Sequence, residues 1–279
     1  MKIERILLST DCSEFSSGAE GEAINWAKRF NAKLYILSTI ETNPEFTALA
    51  PQILEKVEEK ARKYLNDLKQ RAEWENIKTE IIIHEREEPY RFIIDEATKR
   101  QCNIIVMGRR GRKKFMRLMM GSQTARTIGH SPVNVLVVPR AARVEFKNII
   151  VATDASTFSR PAEKEAIEIA AGTGANLYAI AVTRPDATSE RIKESEDSLL
   201  RIKTDALRAG VKIEIELVKN QPHERIYEAI LDFSNKYNAD LIVMGSHGRT
   251  GLKRLLMGSV CERVIGHSDK AVLVVKGIA

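Results

Sequence analysis

Two segments of the sequence carry a pattern that can hold phosphate groups. The pattern is Gly-x2-Gly-x9-Gly-Ser, and it runs once from Gly108 to Ser122 and once from Gly245 to Ser259. Glycine lets backbone N–H groups come close to a ligand. A Gly-Ser pair at a helix start adds free amides, a hydroxyl and the positive end of the helix dipole, which suit phosphate oxygens. One copy could be an ordinary loop with turn glycines, whereas two copies at the same spacing indicate a phosphate-binding loop.

An aspartate stands at the end of the first predicted strand in each half of the chain. Asp11 lies in Thr-Asp-Cys-Ser and Asp154 in Thr-Asp-Ala-Ser. A carboxylate at a strand end can face a ligand hydroxyl or a metal ion, so we predict a ligand role for both. For the neighbouring Ser13 and Ser16 we instead expect helix capping, because a serine before a helix satisfies free N–H groups.

Other familiar active-site patterns are missing from the sequence. It has no Gly-x4-Gly-Lys-Ser/Thr motif, which excludes a P-loop ATPase. Gly172-Thr173-Gly174 lacks a third glycine and follows a predicted helix, which favours a helix C-cap over a dinucleotide-binding loop. The five histidines show no metal-ligand spacing, and no Ser-His-Asp or Cys-His order recurs in both halves. We therefore assign no catalytic residue and leave metal ligands open.

The elements that must position these residues form a repeat. Residues 6–35 match residues 149–178 at an offset of 143, and residues 105–138 match residues 242–275 at an offset of 137. The segment between the two copies, 139–145, contains Pro139 and follows the last apolar run of the first copy. We therefore expect one domain over residues 1–139 and a second over residues 140–279.

Each copy alternates strand and helix patterns, which predicts a parallel sheet with right-handed crossovers. Apolar runs such as Ile104–Met107 and Val135–Val138 lack strict alternation, as expected of strands that helices cover on both faces. The predicted fold is α/β, with two tandem doubly wound five-stranded parallel-sheet domains. Ligands of such sheets bind outside the carboxyl ends of the strands, which is where the aspartates and glycine loops fall.

Composition places the chain among ordinary globular proteins. Of its 279 residues, 43% are hydrophobic and 29% are charged, and no apolar stretch is long enough to span a membrane. Glu4 and Arg5 interrupt the first apolar run, which argues against a secretory leader. Three scattered cysteines, predicted to be buried, favour a reducing compartment. We expect a cytoplasmic protein without membrane association.

With these motifs in place, the chain resembles a tandem member of the universal stress protein family over nearly its whole length. The aspartate after the first strand and the glycine loop are the ATP-binding hallmarks of that family, and both copies contain them. The first loop has Lys113-Lys114-Phe115 where the second has Thr250-Gly251-Leu252. The resemblance implies strand order 3-2-1-4-5 and a Rossmann-like adenine-nucleotide site in each unit, for ATP or AMP, with Mg²⁺ as an open possibility.

The resemblance also implies which residues contact the nucleotide. Asp11 and Asp154 would meet the ribose or a phosphate-bound metal, Thr39 and Val182 would meet adenine through backbone atoms, and Ser9 and Ala152 would line the base side. Ribose and phosphates would be wrapped by Met107, Gly108, Gly111, Gly121, Ser122 and Gln123 in the first unit and by Met244, Gly245, Gly248, Gly258, Ser259 and Val260 in the second.

The sequence is compatible with three functions. The first is a nucleotide-binding stress or signalling protein, in which the nucleotide orders the glycine loops and an unidentified protein partner responds. The second is a slow, metal-dependent ATP hydrolase. The third, a nucleic-acid-associated module, would use the basic residues between Arg109 and Arg117, but only Phe115 there could stack on a base. We further expect the two units to pair as an internal pseudo-dimer, and a homodimer is an open alternative.

Overall fold

The computed structural model of the chain describes residues 2–41, 51–86, 88–110, 120–248 and 257–277. These residues form two compact units, which divide between Ala141 and Ala142. None of the described helices is both long and apolar enough to cross a lipid bilayer.

The first unit is a parallel sheet in the order β3-β2-β1-β4-β5. In chain order, its elements are β1 (Arg5–Ser9), α1 (Ser17–Phe30), β2 (Lys33–Glu41), α2 (Pro51–Trp74), β3 (Thr79–Arg86), α3 (Pro89–Lys99), β4 (Ile104–Gly108), α4 (Ser122–His130) and β5 (Asn134–Val138).

The second unit repeats this arrangement, with strands in the order β10-β9-β6-β7-β8 and all pairs parallel. Its elements are β6 (Asn148–Thr153), α5 (Arg160–Thr173), β7 (Asn176–Thr183), α6 (Ser189–Arg208), β8 (Ile213–Lys219), α7 (Ile226–Lys236), β9 (Leu241–Gly245), α8 (Ser259–His267) and β10 (Ala271–Val275). The predicted fold class and the 3-2-1-4-5 strand order are thereby confirmed for both units.

The apolar strands are buried because helices pack on both faces of each sheet. Every residue of β4 and of β10 is buried, as their continuous apolar runs predict. The predicted C-cap of α5 is also confirmed, since Gly174 has a left-handed φ of 79°. The strand β8 begins at Ile213, because Val211 is still part of the turn in which its N–H bonds the carbonyl of Ala206.

A buried carboxylate ties the first strand of each unit to the first helix. In the first unit, Glu20 accepts hydrogen bonds from the Thr10 hydroxyl at 2.6 Å and from the Tyr64 hydroxyl at 2.8 Å. In the second unit, Glu163 accepts from the Thr153 hydroxyl and pairs with Arg201 at 2.8 Å. Burial and the bond to Glu20 raise the pKa of Tyr64, so its hydroxyl stays protonated as a donor. The two units thus hold the end of their first strand through the same carboxylate with different partners.

We expect Tyr64→Phe to destabilise the first unit by about 1–3 kcal/mol, because the buried Glu20 carboxylate loses a hydrogen-bond donor. Urea unfolding gives the free energies of unfolding of the wild-type chain, of Tyr64→Phe, of Glu20→Gln and of the double variant. Together they form a double-mutant cycle that measures the coupling energy of this hydrogen bond. Strictly additive effects would show that the hydroxyl and the carboxylate contribute independently.

Candidate functional site

A cavity of about 400 Å³ opens at the carboxyl ends of the strands of the second unit. All nine residues predicted for the second site line it: Ala152, Asp154, Val182, Met244, Gly245, Gly248, Gly258, Ser259 and Val260. Strand register explains the convergence, since Ala152 of β6 pairs with Ile180 of β7 on one side and with Met244 of β9 on the other. The end of the central strand therefore lies between the segments that follow its two neighbours.

The aspartate and the glycine loop touch inside this cavity. The Asp154 carboxylate accepts a hydrogen bond through Oδ1 from the backbone N–H of Ser156 at 3.1 Å. A Cβ atom built at Gly248 would lie 2.8 Å from the other carboxylate oxygen, Oδ2. A side chain at position 248 would therefore displace the Asp154 carboxylate from this position.

A helix begins beside Gly248 in the cavity wall. Gly258 is the N-cap of α8, with φ −67° and ψ 140°, and its N–H bonds the carbonyl of Ser246 at 2.9 Å. Glycine has no side chain that could cap the first turn. The N–H groups at such a helix start, together with the dipole, favour an anion, and Ser259, Val260 and Cys261 of this turn all line the cavity.

The cavity also contains side chains that sequence reasoning missed. They come from the segment after β7, from the start of α6 and from the first half of α7: Arg184, Asp186, Arg191, Ile226 and Ile230. The rule that ligands bind after strand ends points to the β7–α6 segment, but no motif marks an individual residue in it. His247 also lines the cavity, and its Nδ1 lies 3.1 Å from the Ser246 hydroxyl.

In the first unit the aspartate is held by neighbouring serines. Asp11 Oδ1 accepts hydrogen bonds from Ser13 N at 3.1 Å, Ser13 Oγ at 2.6 Å and Ser16 Oγ at 2.8 Å. The prediction that the Ser16 hydroxyl caps the helix is therefore wrong. Ser16 is the N-cap residue of α1, but its hydroxyl makes no side-chain cap bond and donates to Asp11 instead.

The other predicted residues of the first site lie around the same sheet edge. Ser9 pairs with Leu37 and Met107, and Gly121 N bonds the carbonyl of Arg109 at 2.8 Å. Thr39 lies within β2, two residues before the strand ends at Glu41.

The glycine loop of this unit is described at its two ends. Gly108 closes β4, Ser122 opens α4, and the Gln123 side chain accepts from Tyr90 N at 3.2 Å. Gly111 lies outside the described residues, as does Gly251 of the second loop.

The cysteines are all free thiols, and two of them are buried as predicted. Burial raises the pKa of both Cys102 and Cys261 to about 12, so both remain protonated at neutral pH. Cys12 is only partly buried, which corrects the prediction, and its sulfur lies 3.5 Å from the Ser38 hydroxyl. Among the described residues, no group of three or more His, Cys, Asp or Glu side chains could hold a metal ion.

Comparison with known proteins agrees with this geometry. The sequence profile of the universal stress protein family matches residues 2–139 and again residues 145–276. A universal stress protein of Methanocaldococcus jannaschii is 41% identical over 144 residues, which cover 47% of this chain and 82% of that protein. One from Mycolicibacterium smegmatis is 26% identical over 225 residues, covering 78% of this chain and 75% of the relative.

Among solved structures, a universal stress protein from Archaeoglobus fulgidus superimposes with a TM-score of 0.77 at 24% identity and covers 99% of this chain and 97% of its own. At that identity the likeness concerns the fold alone. The two profile matches, one for each unit, show that the chain belongs to the universal stress protein family.

Proposed function

We propose that this chain is an adenine-nucleotide-binding protein of stress response or signalling, with one ATP or AMP site in each repeat. The observation that carries the proposal is the cavity in the second unit, where nine residues from four separate sequence segments converge. Its volume of about 400 Å³ falls in the range typical of small-molecule sites.

The cavity lining combines apolar and polar chemistry. Apolar side chains such as Ile180, Val182, Ile226 and Ile230 line the cavity and suit the faces of a purine base. Gly258 and the first turn of α8 supply backbone N–H groups that suit phosphates. Asp154 lies between the glycine loop and the end of β6, where its carboxylate can accept hydrogen bonds from ribose hydroxyls.

The residues fit a nucleotide better than they fit a metal ion bound by protein alone. Because no cluster of three candidate ligands exists among the described residues, a Mg²⁺ ion here would take most of its oxygen ligands from phosphates and water. Asp154 and, in the first unit, Asp11 are the side chains that could add a carboxylate oxygen to it.

Calorimetric titration with ATP should give a stoichiometry near two per chain. Asp11→Ala and Asp154→Ala serve as matched variants, and each should weaken one of the two binding events by removing a ribose contact. A stoichiometry of one would contradict a site in each repeat, and in that case we expect the second site to be the one that binds. Multiple turnovers of ATP in the same samples would instead support the hydrolase alternative.

We expect Gly258→Val to abolish nucleotide binding at the second unit while preserving its fold. A Cβ at this position meets the nearest atoms at 3.5 Å, an ordinary contact, so the backbone accepts it. The branched side chain would then fill the space in which phosphate approaches the amides. Gly172→Val is the matched control, because Gly172 has open space around it. Unchanged affinity with an unchanged circular dichroism spectrum would show that the loop is only structural.

We also propose that the nucleotide orders the glycine loops at 109–120 and 246–257, most of whose residues lie outside the described part of the chain. Both loops carry several positive charges, and each phosphate contact at a helix start is worth about 0.3–1 kcal/mol. Hydrogen exchange in both loops should therefore slow at saturating ATP. Equal exchange with and without nucleotide would show that the nucleotide does not order these loops.

The assembly and its surroundings remain predictions from the sequence. We propose an internal pseudo-dimer of the two units, which leaves a homodimer, an unidentified protein partner and a cytoplasmic location to be tested separately.

A further inference from the structure

Arg191 reaches from α6 to the end of β6 in the second unit. It is the third residue of α6, where its N–H bonds the hydroxyl of the N-cap Thr188 at 3.2 Å and its carbonyl accepts from the Ser195 hydroxyl at 3.0 Å. Its side chain is 20% exposed and pairs with Glu194 at 3.2 Å. A second guanidinium nitrogen donates to the backbone carbonyl of Asp154. The cation therefore forms part of the cavity wall beside the aspartate.

The carbonyl that Arg191 binds belongs to a backbone turn in an uncommon conformation. Ala155, the next residue, has a φ of 58°, a left-handed conformation that alanine adopts at a cost in free energy. The N–H of Ala155 bonds the Thr153 hydroxyl at 3.0 Å. The peptide between Asp154 and Ala155 is therefore held at both its carbonyl and its N–H.

The first unit forms the same turn with different support. Cys12 has a φ of 57°, and its N–H bonds the Thr10 hydroxyl at 3.0 Å. There the hydroxyls of Ser13 and Ser16 both donate to Asp11.

In the second unit, Ser156 and Ser159 stand at the positions of Ser13 and Ser16, but their hydroxyls make other hydrogen bonds. Ser156 Oγ accepts from Ser159 N at 3.2 Å, and Ser159 Oγ donates to the carbonyl of Ser156 at 2.9 Å.

Sequence alignment of the second helices shows what stands in the place of Arg191. Ala72 of α2 and Ala206 of α6 occupy equivalent positions, because each is buried and its carbonyl accepts a hydrogen bond from the residue five positions later. The two helices therefore align at an offset of 134, at which Arg191 corresponds to Val57. The first unit thus has valine where the second has the arginine that contacts its aspartate turn.

We propose that Arg191 is a positioning residue of the second-unit site. Its guanidinium holds the Asp154–Ala155 peptide and thereby places the Asp154 carboxylate against Gly248 for contact with a ligand hydroxyl. This inference rests on the proposed nucleotide-binding function. It distinguishes the two sites, since in the first unit the hydroxyls of Ser13 and Ser16 hold the aspartate carboxylate.

The first test measures the turn in the absence of any ligand. The backbone N–H of Ser156 bonds Asp154 Oδ1 at 3.1 Å, and in the first unit Ser13 N bonds Asp11 Oδ1 at the same distance. In residue-resolved amide exchange by NMR, Arg191→Leu should speed exchange of Ser156 about tenfold, the loss expected for one hydrogen bond. Ser13 should be unchanged and serves as the internal control. Unchanged exchange of Ser156 would overturn the proposal.

The second test measures binding of adenosine, AMP and ATP in metal-free buffer, followed at the amide of Ser259. Arg191→Leu should weaken all three ligands by the same factor, about tenfold, because the Asp154 contact to ribose is common to them. Arg191→Lys should lose less, since an ammonium keeps one donor for the carbonyl. Lys193→Leu, which removes a charge from an exposed position of α6, should change nothing.

The outcomes separate this inference from the function on which it rests. If the wild-type chain binds none of the three ligands, the proposed function fails, and Ser156 exchange still decides whether Arg191 holds the turn. If the wild-type chain binds them and Arg191→Leu binds equally well, the positioning role is wrong and the proposed function stands. A loss that grows from adenosine to AMP to ATP would also overturn positioning, because it would show direct contact of Arg191 with phosphate.

Discussion

The close contact between the Asp154 carboxylate and Gly248 is the constraint on which the second-unit site depends. A Cβ at Gly248 would approach the carboxylate to 2.8 Å, so a side chain there would push the Asp154 carboxylate away from the loop. The contact forms because β6 lies beside β9 in the sheet, which brings two segments distant in sequence to the same edge. The parallel strand order thus brings the aspartate motif and the glycine loop together in one cavity wall.

The two units reach similar turns through different side chains. Both place a residue with left-handed φ after the aspartate, and both anchor its N–H on a threonine hydroxyl. Below the turn, Glu20 is held by Tyr64 whereas Glu163 is held by Arg201. Since a tyrosine donor is neutral and an arginine donor is charged, the equivalent carboxylates lie in different electrostatic surroundings. The backbone geometry of the repeat is kept while the side chains that support it differ.

Much of the fold and of the cavity could be predicted from the sequence. The alternation of apolar runs with helical patterns predicts the sheet, and the repeated glycine spacing, read with the family resemblance, predicts residues that line the cavity, such as Gly248 and Ser259. Arg191 and Ile226 could not be found this way, because their roles depend on which face of a helix meets the cavity after packing. The bond made by Ser16 could not be predicted either, since its hydroxyl could pair with a helix N–H or with a nearby carboxylate, and in the structure it donates to Asp11.

The most direct test of the proposed nucleotide site is a crystal structure of the full chain with a non-hydrolysable ATP analogue. We expect that, in the second unit, the phosphates lie at the N-terminus of α8 beside Gly258, the base lies near Val182, and a ribose hydroxyl lies within hydrogen-bond distance of the Asp154 carboxylate. Density for the analogue at another surface, with the Asp154–Gly248 contact unchanged and the cavity empty, would contradict it.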